Sequence, residues 1–304
     1  PLFSKDPKRI KNQIKIYHFK TDKSSYLEIE APANYSIPGE FEERVFIALT
    51  KIMKNNNYSR SFVVSANEIL ETLGLSNKAY YKRIREALTL LSKTNYTFLN
   101  SLYSNKESGI IEKKIISSIM NITIISKKDS RAKEIEAFED GRIKEVYEIN
   151  FTDYFYENII RKGYLAFDSG KLLAIENSVS RAIYTIVEKW RGYDLYIKRQ
   201  AFFIARRIPL KWDKTQIKRT IDTMEKALIE LRNLNLIKDY KIIKEKKWEL
   251  AEIEITYEES HNKTKRDTFF TEKNEFNSMD MLVTSTEEKI KCISEDFQSG
   301  EISE

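Results

Sequence analysis

Apolar residues along this chain recur at helical and at alternating spacings, and the order in which the two succeed each other is nearly the same in both halves. Tyr26, Leu27 and Ile29 read as a short strand, and Pro32, Pro38 and Gly39 punctuate the approach to a helix. From Glu40 to Lys54, Phe41, Val45, Ala48, Leu49 and Ile52 share one face. Asn55, Asn56 and Asn57 stop that helix, and Phe62, Val63 and Val64 form a brief strand. Ser65 and Glu68 have capping-box spacing, which predicts a short helix from Ala66 to about Thr72 that closes at Gly74. With Ser76 as N-cap, a longer helix runs to about Lys93 and buries Tyr80, Ile84, Ala87, Leu88 and Leu91. Strand-like runs follow at 96–103, 110–118 and 119–126, with a turn at 106–109. The charged span 127–141 reads as a loop, and Ile143 to Asn150 as another strand. A short helix, a turn and a longer helix make a helix-turn-helix, and the hairpin behind it is a wing.

The second half repeats the plan. Helices are predicted at Thr152 to Arg161, Ser178 to Trp190 and Leu195 to Arg206, the middle one ended by Arg191 and Gly192. Ile208, Pro209 and Leu210 turn the chain towards Asp213, whose spacing to Gln216 again suits a capping box. The longest helix then runs from Lys214 to about Leu234, with Ile217, Ile221, Met224, Leu228 and Leu231 as its buried stripe. Leu236 to Ile243 and Trp248 to Thr256 alternate like two strands about a turn at 244–247, a second wing. Ile84, Ala87, Leu88 and Leu91 align without gaps against Met224, Ala227, Leu228 and Leu231, 140 residues later. The expected fold is therefore α+β: two tandem winged-helix domains at 25–150 and 151–257. A flexible basic arm at 1–24 precedes them, and a disordered acidic tail follows at 258–304, with a short helix near Glu287 to Ile293.

Charge sharpens this picture. The formal net charge is only +6, but from Glu258 to Glu304 there are 12 acidic and 6 basic side chains, so the remainder carries 46 basic against 34 acidic. A basic folded part points to a polyanionic partner, because counterion release rewards clustered Lys and Arg. The one cysteine, Cys292, leaves no internal disulfide and no zinc knuckle. No apolar run approaches the ~20 residues needed to span a bilayer, and Lys5, Lys8, Arg9 and Lys11 lack a signal-peptide core, so a cytoplasmic chain without a membrane partner is expected.

Enzymatic chemistry finds little to work with. The two histidines, His18 and His261, fall in the arm and the tail and assemble neither a triad nor a metal site. Gly170 and Lys171 lack the other residues of a phosphate-binding loop, and Asp153, Asp168 and Glu176 read as turn and cap residues. The chain is expected to be no enzyme and to hold neither metal nor cofactor.

The helix faces opposite the apolar stripes carry the candidate chemistry. On the first, Lys78, Lys82, Arg85 and Thr89 form one projecting line; on the second, Gln216, Arg219 and Thr223 do, with Lys214 and Lys218 beside them. A helix fits the major groove of B-DNA, where Arg and Lys donate to guanine, Gln suits adenine and Thr meets a thymine methyl group. Lys113 and Lys114, Arg206 and Arg207, and Lys244, Lys246 and Lys247 are candidates for the DNA backbone.

Three stretches resemble a known family. The run from Tyr26 to Phe46 (YLEIEAPANYSIPGEFEERVF) is similar to the opening of the plasmid replication initiator protein A family. Ser76 to Leu91 (SNKAYYKRIREALTLL), with Thr94 to Thr97 after it, resembles that family's first recognition helix and strand entry, and Ser180 to Tyr184 (SRAIY) a later helix. The resemblance covers roughly 26–257. It implies an initiator that binds repeated double-stranded sites in an origin, helps open nearby AT-rich DNA and recruits host replication proteins. It also implies dimers that repress and monomers that initiate, with the first winged helix as the dimerisation surface. A transcriptional regulator with the same two domains, binding operator DNA, is the alternative.

Overall fold

The computed structural model describes residues 2–6, 8–19, 23–104, 109–139, 141–160, 167–208, 210–244, 246–263 and 265. Contacts divide the chain into Pro1–Glu258, which holds every element below, and Glu259–Glu304, in which 259–263 are helical. Residues 264 and 266–304 of the expected acidic tail, with the short helix expected near Glu287 to Ile293, lie outside the described residues, as do Arg161 and Pro209.

The N-terminal segment is not the free arm its polar composition suggests. Strand β1 (Ile14–His18) pairs antiparallel along its whole length with β2 (Tyr26–Glu30), Ile16 opposite Glu28. Its alternation is inverted: Ile14 and Ile16 are exposed while Lys15 and Tyr17 are half-buried, so no apolar stripe marks the strand in the sequence. Phe3 is buried against the first core, and Lys15 Nζ donates to Ser4 Oγ at 3.0 Å.

Helix α1 (Glu40–Asn55) follows, with Val45, Ala48, Leu49, Ile52 and Met53 buried. The Glu42 carboxylate accepts from the Gly39 amide at 2.7 Å and pairs with Arg9, whose guanidinium lies where a Cβ on residue 39 would sit. Next come β3 (Ser61–Ser65), α2 (Ala66–Thr72) and α3 (Tyr80–Lys93). Ser65 caps α2 as expected, its hydroxyl accepting from the Glu68 amide at 3.1 Å, and Gly74 turns the chain at φ +70°. The strands after α3 are β4 (Asn95–Leu99), the two-residue β5 (Tyr103–Ser104) and β6 (Gly109–Ile110), β7 (Lys114–Ser117), β8 (Met120–Ser126) and β9 (Glu145–Phe151).

These strands divide between two main sheets, and here the hairpin expected as the first wing is corrected. Strands β4 and β7 belong to a sheet in the order β1-β2-β4-β7, whereas β3, β9 and β8 form a separate sheet in that order. Tyr96, Thr97 and Phe98 in β4 are all buried, so both faces of that strand are covered and it sits inside its sheet. The hairpin that closes on β3 is β8–β9, joined through residues 127–144 with two 3-10 turns, Ser130–Glu134 and Glu136–Glu139. Ile125, Ala132, Phe138 and Val146 give that connection a small core of its own.

Helices α4 (Asp153–Ile160) and α5 (Ser169–Ala174) lead to the second half. Asp168 caps α5, accepting from the Gly170 amide at 2.8 Å, and Asp153 pairs with Arg60. Phe155 and Leu173 pack on the first core and Ile175 on the second, so the first core extends past the boundary expected at residue 150. Helix α6 (Ser178–Arg191), capped by Asn177 and ended by Gly192 at φ +57°, precedes β10 (Tyr196–Gln200), α7 (Ala201–Arg207) and α8 (Ile217–Asn233). The short helix expected from Leu195 is thus a strand followed by a helix. Strands β11 (Asp239–Ile243) and β12 (Glu252–Thr256) complete a sheet in the order β10-β12-β11.

Once β4 to β7, which belong to other sheets, are set aside, the two halves share one order: helix, strand, helix, helix, strand, strand. In both, the last strand lies between the other two, as β3-β9-β8 and β10-β12-β11. Helices α3 and α8 end at Lys93 and Asn233, the same 140-residue offset as their matching apolar residues. Between the halves lies a buried ionic cluster. Arg181 of α6, 2% exposed at its side chain, donates to Glu43 of α1 at 3.2 Å and to the carbonyls of Ile175 and Glu176, while Lys5 meets Glu43 at 2.6 Å.

Candidate nucleic-acid interface

Helix α3 is held on α1 and α2 by contacts that leave its cationic face outward. Its Ile84, Ala87, Leu88 and Leu91 are buried. Tyr81 Oη donates to Asn67 of α2 at 2.9 Å, Phe41 of α1 stacks on Tyr80 at 6.0 Å, and Arg83 lies 4.1 Å above the Phe41 ring. Arg83 is therefore committed to α1 by a cation–π contact, which its exposed helical position does not reveal.

Lys78, Lys82 and Arg85 are exposed, as the sequence predicts, but in three different settings. The helix starts at Tyr80, because the Asn77 carboxamide accepts from the Ala79 amide and makes a turn that Ser76 was expected to supply as a cap. Lys78 thus stands on the turn before the helix. Lys82 projects from its first turn. Arg85 reaches Glu145 at the start of β9, 3.3 Å away, which ties α3 to the sheet. Thr89 is half-buried and its hydroxyl donates to the Arg85 carbonyl at 2.8 Å, so its polar end is turned to its own helix.

The second face has the same parts. Lys214, Gln216, Lys218 and Arg219 are exposed, and Thr223 is half-buried with its hydroxyl on the Arg219 carbonyl at 2.8 Å. Lys214 and Gln216 precede the helix. Asp213 accepts from the Thr215 amide and hydroxyl, both at 3.0 Å, and these bonds hold its carboxyl below the usual range. Thr220 Oγ1 donates to the Lys211 carbonyl at 2.6 Å and fixes the entry to α8. This face borders a cleft of about 770 Å³, lined by Gln216, Arg219 and Thr223 on one side and by Lys5, Asp6, Lys8 and Lys15 on the other.

The backbone candidates separate. Lys244, Lys246 and Lys247 lie exposed on the β11–β12 connection as expected, with Lys244 Nζ 4.7 Å above the Trp248 ring. Arg206 and Arg207 are exposed at the end of α7. Lys113 and Lys114 are exposed too, but they stand at the entry to β7, in the sheet that is not joined to α2 and α3 through β3. The place expected for them is taken by the β8–β9 connection, where Lys127, Lys128, Lys133 and Lys144 are exposed and Arg131 pairs with Glu148 at 3.3 Å. The charged run at 127–141 was the available signal; its length made it a loop rather than a hairpin tip.

Comparison with known proteins decides the family. The model of the family described as "Replication initiator protein A" matches residues 1–197. The chain belongs to the replication initiator protein A family. Its role is that of a replication initiator. Among solved structures, this initiator resembles a selenomethionine derivative of domains 2 and 3 of RctB, with a TM-score of 0.57 at 13% identity over 84% of this chain and 94% of that one. It also resembles the RctB domains 2-3 fragment 155-483, with a TM-score of 0.55 at 12% identity over 87% and 98% of the two chains. At such identities the likeness concerns the mixed helix-and-sheet fold. None of the curated proteins matches the initiator. Among its described residues, no helix is long and apolar enough to cross a membrane.

Proposed function

We propose that this initiator grips specific double-stranded DNA of a plasmid origin through two winged-helix domains, with α3 and α8 as recognition helices and the β8–β9 and β11–β12 connections as wings. The observation that carries the reading is the repeated topology. Each half places a helix with an exposed cationic face between a short helix and a three-stranded sheet whose hairpin connection bears lysines. One such arrangement is compatible with many functions; two in tandem suit consecutive groove segments, each domain raising the effective concentration of the other.

In this reading Lys82, Arg85, Lys218 and Arg219 meet base edges from their helices, and Lys78, Lys214 and Gln216 approach from the preceding turns. Lysines on both wings, together with Arg206 and Arg207, neutralise phosphates. Lys8 and Lys15, which line the cleft beside α8 together with Asp6, would meet a phosphodiester strand flanking the groove. Binding energy from both domains would offset the cost of bending or melting adjacent AT-rich DNA, and host replication proteins would then be recruited. The protein acts without metal, cofactor or catalytic residue, and dimerises through its first domain. Selection of bound fragments from random DNA and from the native replicon, followed by footprinting, tests this. Protection of direct repeats near an origin is the expected outcome, whereas protection of a promoter palindrome favours the regulator.

A further inference from the structure

The cleft beside α8 continues into a second trough of about 540 Å³, with Tyr17, Leu210 and Lys211 lining both. One wall of the trough is the end of β1, with Tyr17, His18 and Phe19; the other is α7 and the turn after it. We propose that this trough binds single-stranded DNA.

Two features of the walls support that ligand. First, aromatic rings follow one another along it. Phe203, Phe202 and Trp212 are in succession, 5.6 Å and 5.7 Å between centroids, and Tyr17 and Phe19 face the same space. Phe203 is 51% exposed and Phe19 36%, so neither is hidden in a core. Large rings left in water at a concave surface mark a contact surface. Second, among the described residues that line the trough are Arg206, Arg207 and Lys211 and no carboxylate. Exposed rings bordered by cations that can follow a backbone are the two requirements of a sequence-tolerant single-strand site. The bases of a duplex are already stacked on one another and present no free faces to these rings. An acidic peptide would use the cations but leave the rings without partners.

The aromatic part of the trough stands apart from the duplex reading, since Phe19, Phe203 and Trp212 have no place among the proposed duplex contacts, whereas Arg206 and Arg207 serve both. The test uses the full chain and a labelled oligothymidylate of about twelve nucleotides, measured by fluorescence anisotropy beside the duplex recovered by selection. Phe19→Ala with Phe203→Ala is expected to weaken oligothymidylate binding roughly tenfold or more and to leave duplex binding as it was. Oligothymidylate affinity should fall with salt at a logarithmic slope of about −2, from three cations at ~0.7 each. Stacking should also quench the fluorescence of Trp212, and Trp212→Phe should abolish that quenching; this readout serves even where the double variant does not fold. Absence of binding by the unaltered protein, equal binding by a folded double variant, unchanged Trp212 fluorescence, or equal competition by polyglutamate would each overturn the proposal.

Discussion

At the scale of single residues, exposure alone separates the candidate base readers poorly, and partners separate them well. Lys82 and Arg219 stand on exposed helical faces, whereas Arg85 is shared with Glu145 and the Thr89 and Thr223 hydroxyls are turned inward. An exposed pair such as Arg85–Glu145 is worth no more than ~1 kcal/mol, so Arg85 is free to exchange Glu145 for a base. Lys82→Ala and Arg219→Ala are each expected to reduce affinity for the selected duplex by about 1–3 kcal/mol and to relax specificity at one position, as read by binding isotherms on single-base variants. Lys246→Ala should behave differently. It should weaken all duplexes alike and make the salt dependence shallower by about one unit, checked by titration between low and moderate salt.

The elements depend on local chemistry that is mostly written in the chain. Ser65, Asn177 and Asp168 cap helices with their own side chains, as their residue types allow. Gly74 and Gly192 end helices with positive φ, which a side chain would oppose. Gly74→Ala should therefore destabilise the protein by about 1–2 kcal/mol through backbone strain alone, since nothing lies within 4 Å of the site where the new methyl group would go. Urea denaturation gives the measurement, and the fold should be unchanged. The elements that sequence periodicity missed are those whose pattern is atypical. Strand β1 turns its isoleucines outward, β10 (YIKRQ) has one buried residue in five, and α5 spans only six.

Across the whole molecule, the cluster of Lys5, Glu43 and Arg181 joins the first segment, α1 and α6. Breaking a buried pair by removing one partner leaves a charge without compensation, so Arg181→Met should cost on the order of 3–5 kcal/mol. Combined with Glu43→Leu, the cost should be less than the sum, and a double-mutant cycle by chemical denaturation measures the difference. Several phenols also link the fold to pH. Burial raises Tyr17 to about 12 and pushes Tyr96, Tyr147, Tyr184 and Tyr257 up further, with Glu145 beside Tyr147 and Glu188 beside the last two. Because these groups keep their protons longer when folded, their contribution is complete below the unfolded value of about 10 and is lost as pH rises above it. Melting temperatures should hold from pH 7 to 9 and fall steeply between pH 10 and 12.

The sequence by itself determined the main helices of both halves, the buried stripes of α1, α3 and α8 and the cationic faces opposite them. Those features follow from the period of apolar residues, which is a property of the local chain. Only the tertiary structure decided which strands share a sheet. Tyr96 and Phe98 read as hairpin residues, yet pairing with β2 draws β4 away from β8 and leaves the long charged connection to act as the hairpin behind α3. Strand pairing is settled by which faces can be covered, and that depends on residues far away in the chain. The same holds for the trough between β1 and α7, whose rings and cations come from segments about 190 residues apart and carry no shared signal until the fold brings them together.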